Sequence, residues 1–203
     1  MAAVAAATER ELRAAGTPER ALHEKAYLKS SLEHAGASLP AIRGLAKRIK
    51  RKHPALDAPA VFALARELWA EPLHERRMLA VRVLEQYADR LGPSDLEQLE
   101  PLLRDSRTWA LVDGLAGDVA ATVVLHFPDD AIVDSTLRRW AHDEDFWVRR
   151  SAVLAHLKTV DAARWRGGLA YRAAGERRQS LCRQRRVGSA DHDGHPLGGV
   201  GRR

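Results

Sequence analysis

One cysteine, Cys182, stands in 203 residues, so no intrachain disulfide can form and a reducing compartment is the expectation. No stretch alternates Thr, Val or Ile with polar residues as a half-buried strand would. No run is read as reaching the roughly 18 apolar residues of a membrane-spanning helix. The leading Met-Ala-Ala-Val-Ala-Ala-Ala meets Glu9 and Glu11 too early for the apolar core of a secretory signal. A Gly-rich phosphate loop, a Gly-x-Ser-x-Gly elbow, a His-Glu-x-x-His helix and a Cys-x-x-Cys pair are all missing. The histidines fall at no ligand spacing, and a Ser/His/Asp triad has no signal of its own. The expectation is a cytoplasmic protein with no membrane segment, no metal and no cofactor.

What is present is a helix-former's palette of Ala, Leu, Arg and Glu, with aromatics at only 5%. The net charge of +6 is unevenly placed. Residues 1–160 carry 23 bases and 23 acids, whereas residues 161–203 carry ten arginines, no lysine and four acids. The basic pI therefore belongs to the tail. That tail also holds eight of the 14 glycines and no Ile or Phe. A helix over Ala162–Ala174 would be interrupted by Gly167-Gly168, and from Gly175 onward no apolar period remains. Arg177, Arg178, Arg183, Arg185 and Arg186 could form a nucleic-acid arm. An Arg/Gly-rich, lysine-free segment also fits an out-of-frame reading of GC-rich DNA, and this is the preferred expectation. Asp191-His192-Asp193-Gly194-His195 has ligand types, but in this context no metal is expected there.

Between residues 2 and 160 the punctuation predicts only helices. Thr17-Pro18-Glu19 opens one that reaches about Leu32, and Pro40 opens another with Ile42, Leu45 and Ile49 inward. Asp57 caps a helix carrying Val61, Leu64, Leu68 and Trp69; Pro72 opens one carrying Leu73, Met78, Val81, Leu84 and Tyr87. Gly92-Pro93-Ser94 is a stop and restart before Leu96, Leu99 and Leu103. Asp129-Asp130 begins a helix with Ile132, Val133, Leu137 and Trp140, and Asp143-Glu144-Asp145 precedes Phe146–Val160. Nine or so helices on short turns suggest a helical-repeat array or a globular bundle. A paired unit of about 35–45 residues favours the HEAT or armadillo type. The expected fold is all-α: a HEAT-like α-solenoid, a curved stack of antiparallel helix pairs over residues 1–160, followed by the separate tail 161–203.

Three features could carry chemistry. In the stretch 108–127, Thr108 caps a helix whose apolar stripe is Leu111, Leu115, Val119, Val123 and Phe127. The opposite stripe is Trp109, Asp113, Gly117 and Ala121, with Trp109 and Asp113 meeting at i, i+4. Glycines at 114 and 117 each cost about 1 kcal/mol against alanine, and close approach by another group is one explanation for them. A core-edge Trp beside a solvated Asp is the plainer interpretation. Next, Lys47, Arg48, Lys50 and Arg51 crowd a helix end, where they complement the dipole or contact phosphates. Last, Arg149 and Arg150 lie near a helix start, against the dipole, and need a counter-charge. Asp143-Glu144-Asp145, Asp113 or a bound phosphate would supply it.

Trp109-x-x-Val112-Asp113 followed by Phe146-Trp147-x-x-Arg150-x-Ala152-x-Leu154 resembles the AlkD-type DNA alkylation repair family of HEAT-like DNA glycosylases. Tyr27-Leu28-Lys29 ahead of Gly36 and Pro40, then Glu67-Leu68-Trp69 and Pro72, match in order and spacing, so the resemblance covers about residues 5–160. It implies a monomeric enzyme that excises cationic N3- and N7-alkylated purines, such as 3-methyladenine and 7-methylguanine, from duplex DNA. In this family the duplex lies on the concave face and the base is not flipped out. The resemblance implies that Trp109 and Asp113 contact the sugar of the lesion nucleotide and that Arg150 binds the nearby backbone. A second tryptophan, from a later repeat, has no counterpart here; Trp165 comes too soon after Arg150 and in other surroundings. Impaired activity is therefore expected, and a non-catalytic HEAT-like module that binds DNA or protein is the alternative. Association with the nucleoid would follow from DNA engagement.

Overall fold

The computed structural model describes residues 2–160; residue 1 and residues 161–203 lie outside the described residues. The expectations for the tail fall outside them too: the helix over 162–174, the arginine arm, Trp165 and the Asp191–His195 cluster. Among the described residues the fold is all-α, a helical-repeat fold of nine helices. These are α1 (Ala2–Ala14), α2 (Pro18–Leu28), α3 (Leu39–Lys52), α4 (Ala58–Trp69), α5 (His74–Gln86), α6 (Leu96–Ser106), α7 (Trp109–His126), α8 (Ala131–Ala141) and α9 (Phe146–Leu154). No strand occurs among them; two isolated bridges, Gly16 with Ala37 and Glu33 with Leu73, pin the connection between α2 and α3.

The starts follow the sequence chemistry. Thr17, Ser38, Asp57, Asp130 and Asp145 each accept a first-turn backbone N–H. Two ends do not. Helix α2 stops at Leu28, because Lys29 adopts the left-handed conformation (φ 49°) and Ser30 donates back to the Lys25 carbonyl. Leu32, assigned to that helix on sequence, is instead buried in the following connection. Thr108 stands at the start of α7, yet its hydroxyl caps nothing and is buried without a partner.

Helix α5 is the hub, packing against α3, α4 and α7. The expected Met78, Val81 and Leu84 are buried, but so is every other residue from His74 to Leu84, including three arginines. Each arginine reaches a carboxylate elsewhere: Arg76 pairs with Glu9 of α1 (2.6 Å), Arg77 with Asp105 of α6 (2.9 Å) and Arg82 with Asp118 of α7 (2.8 Å). Arg82 also reaches Glu85 on its own helix, but the carboxylates on the other helices are far away in sequence, where a local pattern does not display them.

Helix α7 corrects two expectations. It is long and apolar enough to cross a membrane on length and composition, contrary to the sequence reading, but more than half of it is buried inside the fold. It is also not a uniform α-helix, since Gly114–Ala120 forms a π segment between two α-helical ends. Leu111, Leu115, Val119 and Val123 are buried as expected. Gly117 stays half-exposed, but the wider turn brings Asp118 out beside it and puts Thr122 in place of Ala121 on the outward face. Ala121 is fully buried, and Phe127, beyond the helix end, is exposed.

Candidate functional site

Trp109 and Asp113 lie one turn apart on the regular α-helical start of α7, ahead of the π segment, so the i, i+4 relation holds. Trp109 is 41% exposed although it lies in a core helix. Tyr27, 67% exposed on the last turn of α2, meets it edge-to-face with ring centroids 5.9 Å apart and planes at 84°. Tyr27 entered the sequence comparison only as a matching position; its neighbour was not foreseen, since 82 residues separate the two rings.

Asp113 binds Arg150 of α9 through both oxygens: Nε donates to Oδ1 at 2.8 Å and Nη2 to Oδ2 at 2.9 Å. The side chains are 36% and 35% exposed, so the fork is open to solvent on one side. The Asp113 carboxylate raises the Arg150 pKa above its ordinary value. Of the three counter-charges considered for the arginines near the start of α9, Arg150 thus takes Asp113. Arg149 turns back instead and donates to the carbonyls of Asp143 and Glu144, both at 2.7 Å. It closes the connection before α9 and is not brought to Trp109 and Asp113.

Past Asp113 the floor of the site is small. A Cβ on Gly117 would meet only Leu157 Cδ1, at 3.5 Å, whereas one on Gly114 would lie 2.5 Å from Val81 Cγ1 of α5. The close neighbour inferred for the two glycines is therefore real at 114 and absent at 117. Beyond lie Asp118 and Thr122, where Lys158 donates to the Asp118 carbonyl (2.8 Å) and the Thr122 hydroxyl (2.6 Å). Lys158 had no sequence signal, because it is an isolated base after the last clear period.

The basic cluster on α3 divides. Arg48 pairs with Glu11 of α1, and Lys50 sits 3.8 Å from the centroid of the Tyr87 ring, its pKa lowered by burial. Lys47 and Arg51 remain exposed and line a shallow depression with Ala41 and Gly44. Among the described residues neither forms an ion pair.

The all-α repeat fold thus presents an exposed tryptophan, a carboxylate and an arginine fork on adjoining helices. The family model described as DNA alkylation repair enzyme matches residues 8–177. The chain belongs to this family, and its substrate is accordingly DNA. A comparison with curated proteins finds no match.

Proposed function

We propose that the protein hydrolyses the glycosidic bond of cationic N3- and N7-alkylated purines, 3-methyladenine and 7-methylguanine among them, in duplex DNA held against its concave face, without base flipping. The observation that carries this reading is the juxtaposition of an exposed indole, a carboxylate and a guanidinium on α7 and α9. A cationic alkylpurine leaves with the bonding electron pair and becomes neutral, so little general acid is needed. The sugar left behind is oxocarbenium-like until water adds at C1′, as in glycoside hydrolysis. The Asp113 carboxylate stabilises that charge and orients the water. The Trp109 face contributes a cation–π attraction of about 0.5–2 kcal/mol.

Arg150 has two roles in this scheme. In the free protein its fork aims the Asp113 carboxylate through two hydrogen bonds. On DNA it binds the phosphate beside the lesion, which fixes register without reading sequence and releases one edge of the carboxylate toward the sugar. Lys47 and Arg51 add backbone contacts, and Arg48 and Lys50 are partly spent on Glu11 and Tyr87.

The test is release of 7-methylguanine from methylated duplex DNA by the purified 203-residue chain and by Asp113→Asn. Loss of release by at least about 100-fold with duplex binding retained or tightened, since Asn no longer neutralises Arg150, is the expected result. Binding without release by the native chain would overturn the enzyme reading in favour of a non-catalytic helical-repeat module that binds DNA.

A further inference from the structure

Away from that site, the connection between α2 and α3 runs beside the start of α5 and brings together groups that the DNA chemistry does not use. Glu75, the second residue of α5, has no exposed surface. Its carboxylate accepts the backbone N–H groups of Ala35 (3.0 Å) and Gly36 (2.6 Å). Among the described residues no ammonium or guanidinium lies within ion-pair distance of it. Two N–H donors and the helix start offset part of the charge, but a buried carboxylate without a cation is an unusual arrangement.

Beside it, His34 has both ring nitrogens buried and hydrogen-bonded to nothing. Its ring stacks on that of His74, with centroids 4.6 Å apart and planes 8° from parallel. Glu24 of α2 completes the group, half-buried and held by Arg20 at 2.8 Å. One ligand atom each from Glu24, His34 and Glu75 lies within 4.8 Å of the other two.

From this cluster we infer a divalent metal site of the Zn2+ class, with Glu24, His34 and Glu75 as protein ligands and water in the fourth position. One imidazole nitrogen with two carboxylate oxygens suits Zn2+, whereas Mg2+ and Ca2+ prefer oxygen alone. Bonds of about 2.0–2.2 Å put tetrahedral donors roughly 3.3–3.6 Å apart, so the side chains close by small rotations and Glu24 exchanges part of its contact with Arg20 for the metal. The ion balances both carboxylates and gives His34 the partner it lacks.

The consequence reaches the DNA-repair site. Glu24 and Tyr27 are i, i+3 on α2, and Tyr27 is the ring against Trp109. A metal tying α2 to α5 fixes the position of that ring.

The test uses the full chain carrying His192→Ala and His195→Ala, which removes the other His-Asp cluster of the sequence. Zn2+ is titrated in competition with a chromophoric chelator, and Tm is followed with Zn2+ and with EDTA. One equivalent is expected to bind and to raise Tm, with affinity at least tenfold weaker in both His34→Gln and Glu24→Gln. Co2+ in the same site should give the d–d absorption of N/O ligation. Glu24, at the edge of the cluster, is the variant that keeps the test valid should His34→Gln not fold. Binding that persists in Glu24→Gln, or no binding by the background protein, overturns the proposal.

Discussion

Two glycines three residues apart on α7 meet opposite demands. An alanine methyl at 114 would press into Val81 of α5, 2.5 Å from its Cγ1, whereas at 117 it meets only a leucine methyl at ordinary contact distance. Glycine to alanine gains about 1 kcal/mol of helix propensity at either position. Overpacking against a buried β-branched side chain costs about 1–3 kcal/mol. Gly114→Ala is therefore expected to lower Tm, and Gly117→Ala to leave it unchanged or raise it, as thermal unfolding of the two variants will show. Both glycines drew notice in the sequence as helix defects, but their difference depends on which helix lies opposite, and nothing local records that. Trp109 and Asp113 were legible for the complementary reason: their relation is i, i+4 within a regular α-helical turn. Ala121 was misjudged because a stripe extrapolated at α-helical spacing passes through a π segment, where one added residue moves every later side chain round the axis.

Element boundaries followed capping chemistry where a side chain does the capping. Thr17, Asp57 and Asp130 mark starts because their oxygens accept amide protons left over by the helix itself. The end of α2 was overrun by sequence reasoning because it rests on a left-handed lysine, a conformation that composition does not announce. The acidic run before α9 stands in the sequence as a separator and as one counter-charge open to Arg149 and Arg150, yet its residues have separate tasks. Asp145 caps α9, and Asp143 accepts the Arg104 guanidinium of α6 at 2.8 and 2.5 Å together with the Asp145 backbone N–H. Arg104 first, and that N–H second, hold the Asp143 pKa down at about 2, against an ordinary 3.8. A depressed carboxylate contributes stability that is complete above its unfolded pKa and is lost as pH falls through the folded one. The contribution should accordingly fade between about pH 4 and pH 2. Urea denaturation at pH 5 and pH 3 is expected to show a smaller loss on acidification in Asp143→Asn than in the native chain, and an equal loss in both would refute the assignment.

For the molecule as a whole, the balance of charge bears on how a body of 23 bases and 23 acids engages a polyanion. Attraction then depends on which cations the fold leaves unspent, and the fold spends many. Arg76, Arg77 and Arg82 are committed to carboxylates around α5, Arg104 and Arg139 to Asp143 and Glu100, and Arg48 to Glu11. The basic cluster on α3 looked uniform in the sequence because periodicity reports which face a residue occupies, not whether a distant acid meets it. Lys47 and Arg51 are the two of its four candidates left to solvent, and Lys50 rests on Tyr87. Each phosphate contact contributes about 0.9 to the slope of log K against log salt. Taking differences between variants cancels the contribution of the ten tail arginines, which all of them share. The double variant Lys47→Gln/Arg51→Gln is therefore expected to lower the magnitude of that slope by about 2 on undamaged duplex DNA, while Lys50→Gln leaves it within a few tenths. Equal effects from Lys50 and from the exposed pair would mean that the duplex does not distinguish the spent cations from the free ones, and that α3 attracts DNA by bulk charge alone.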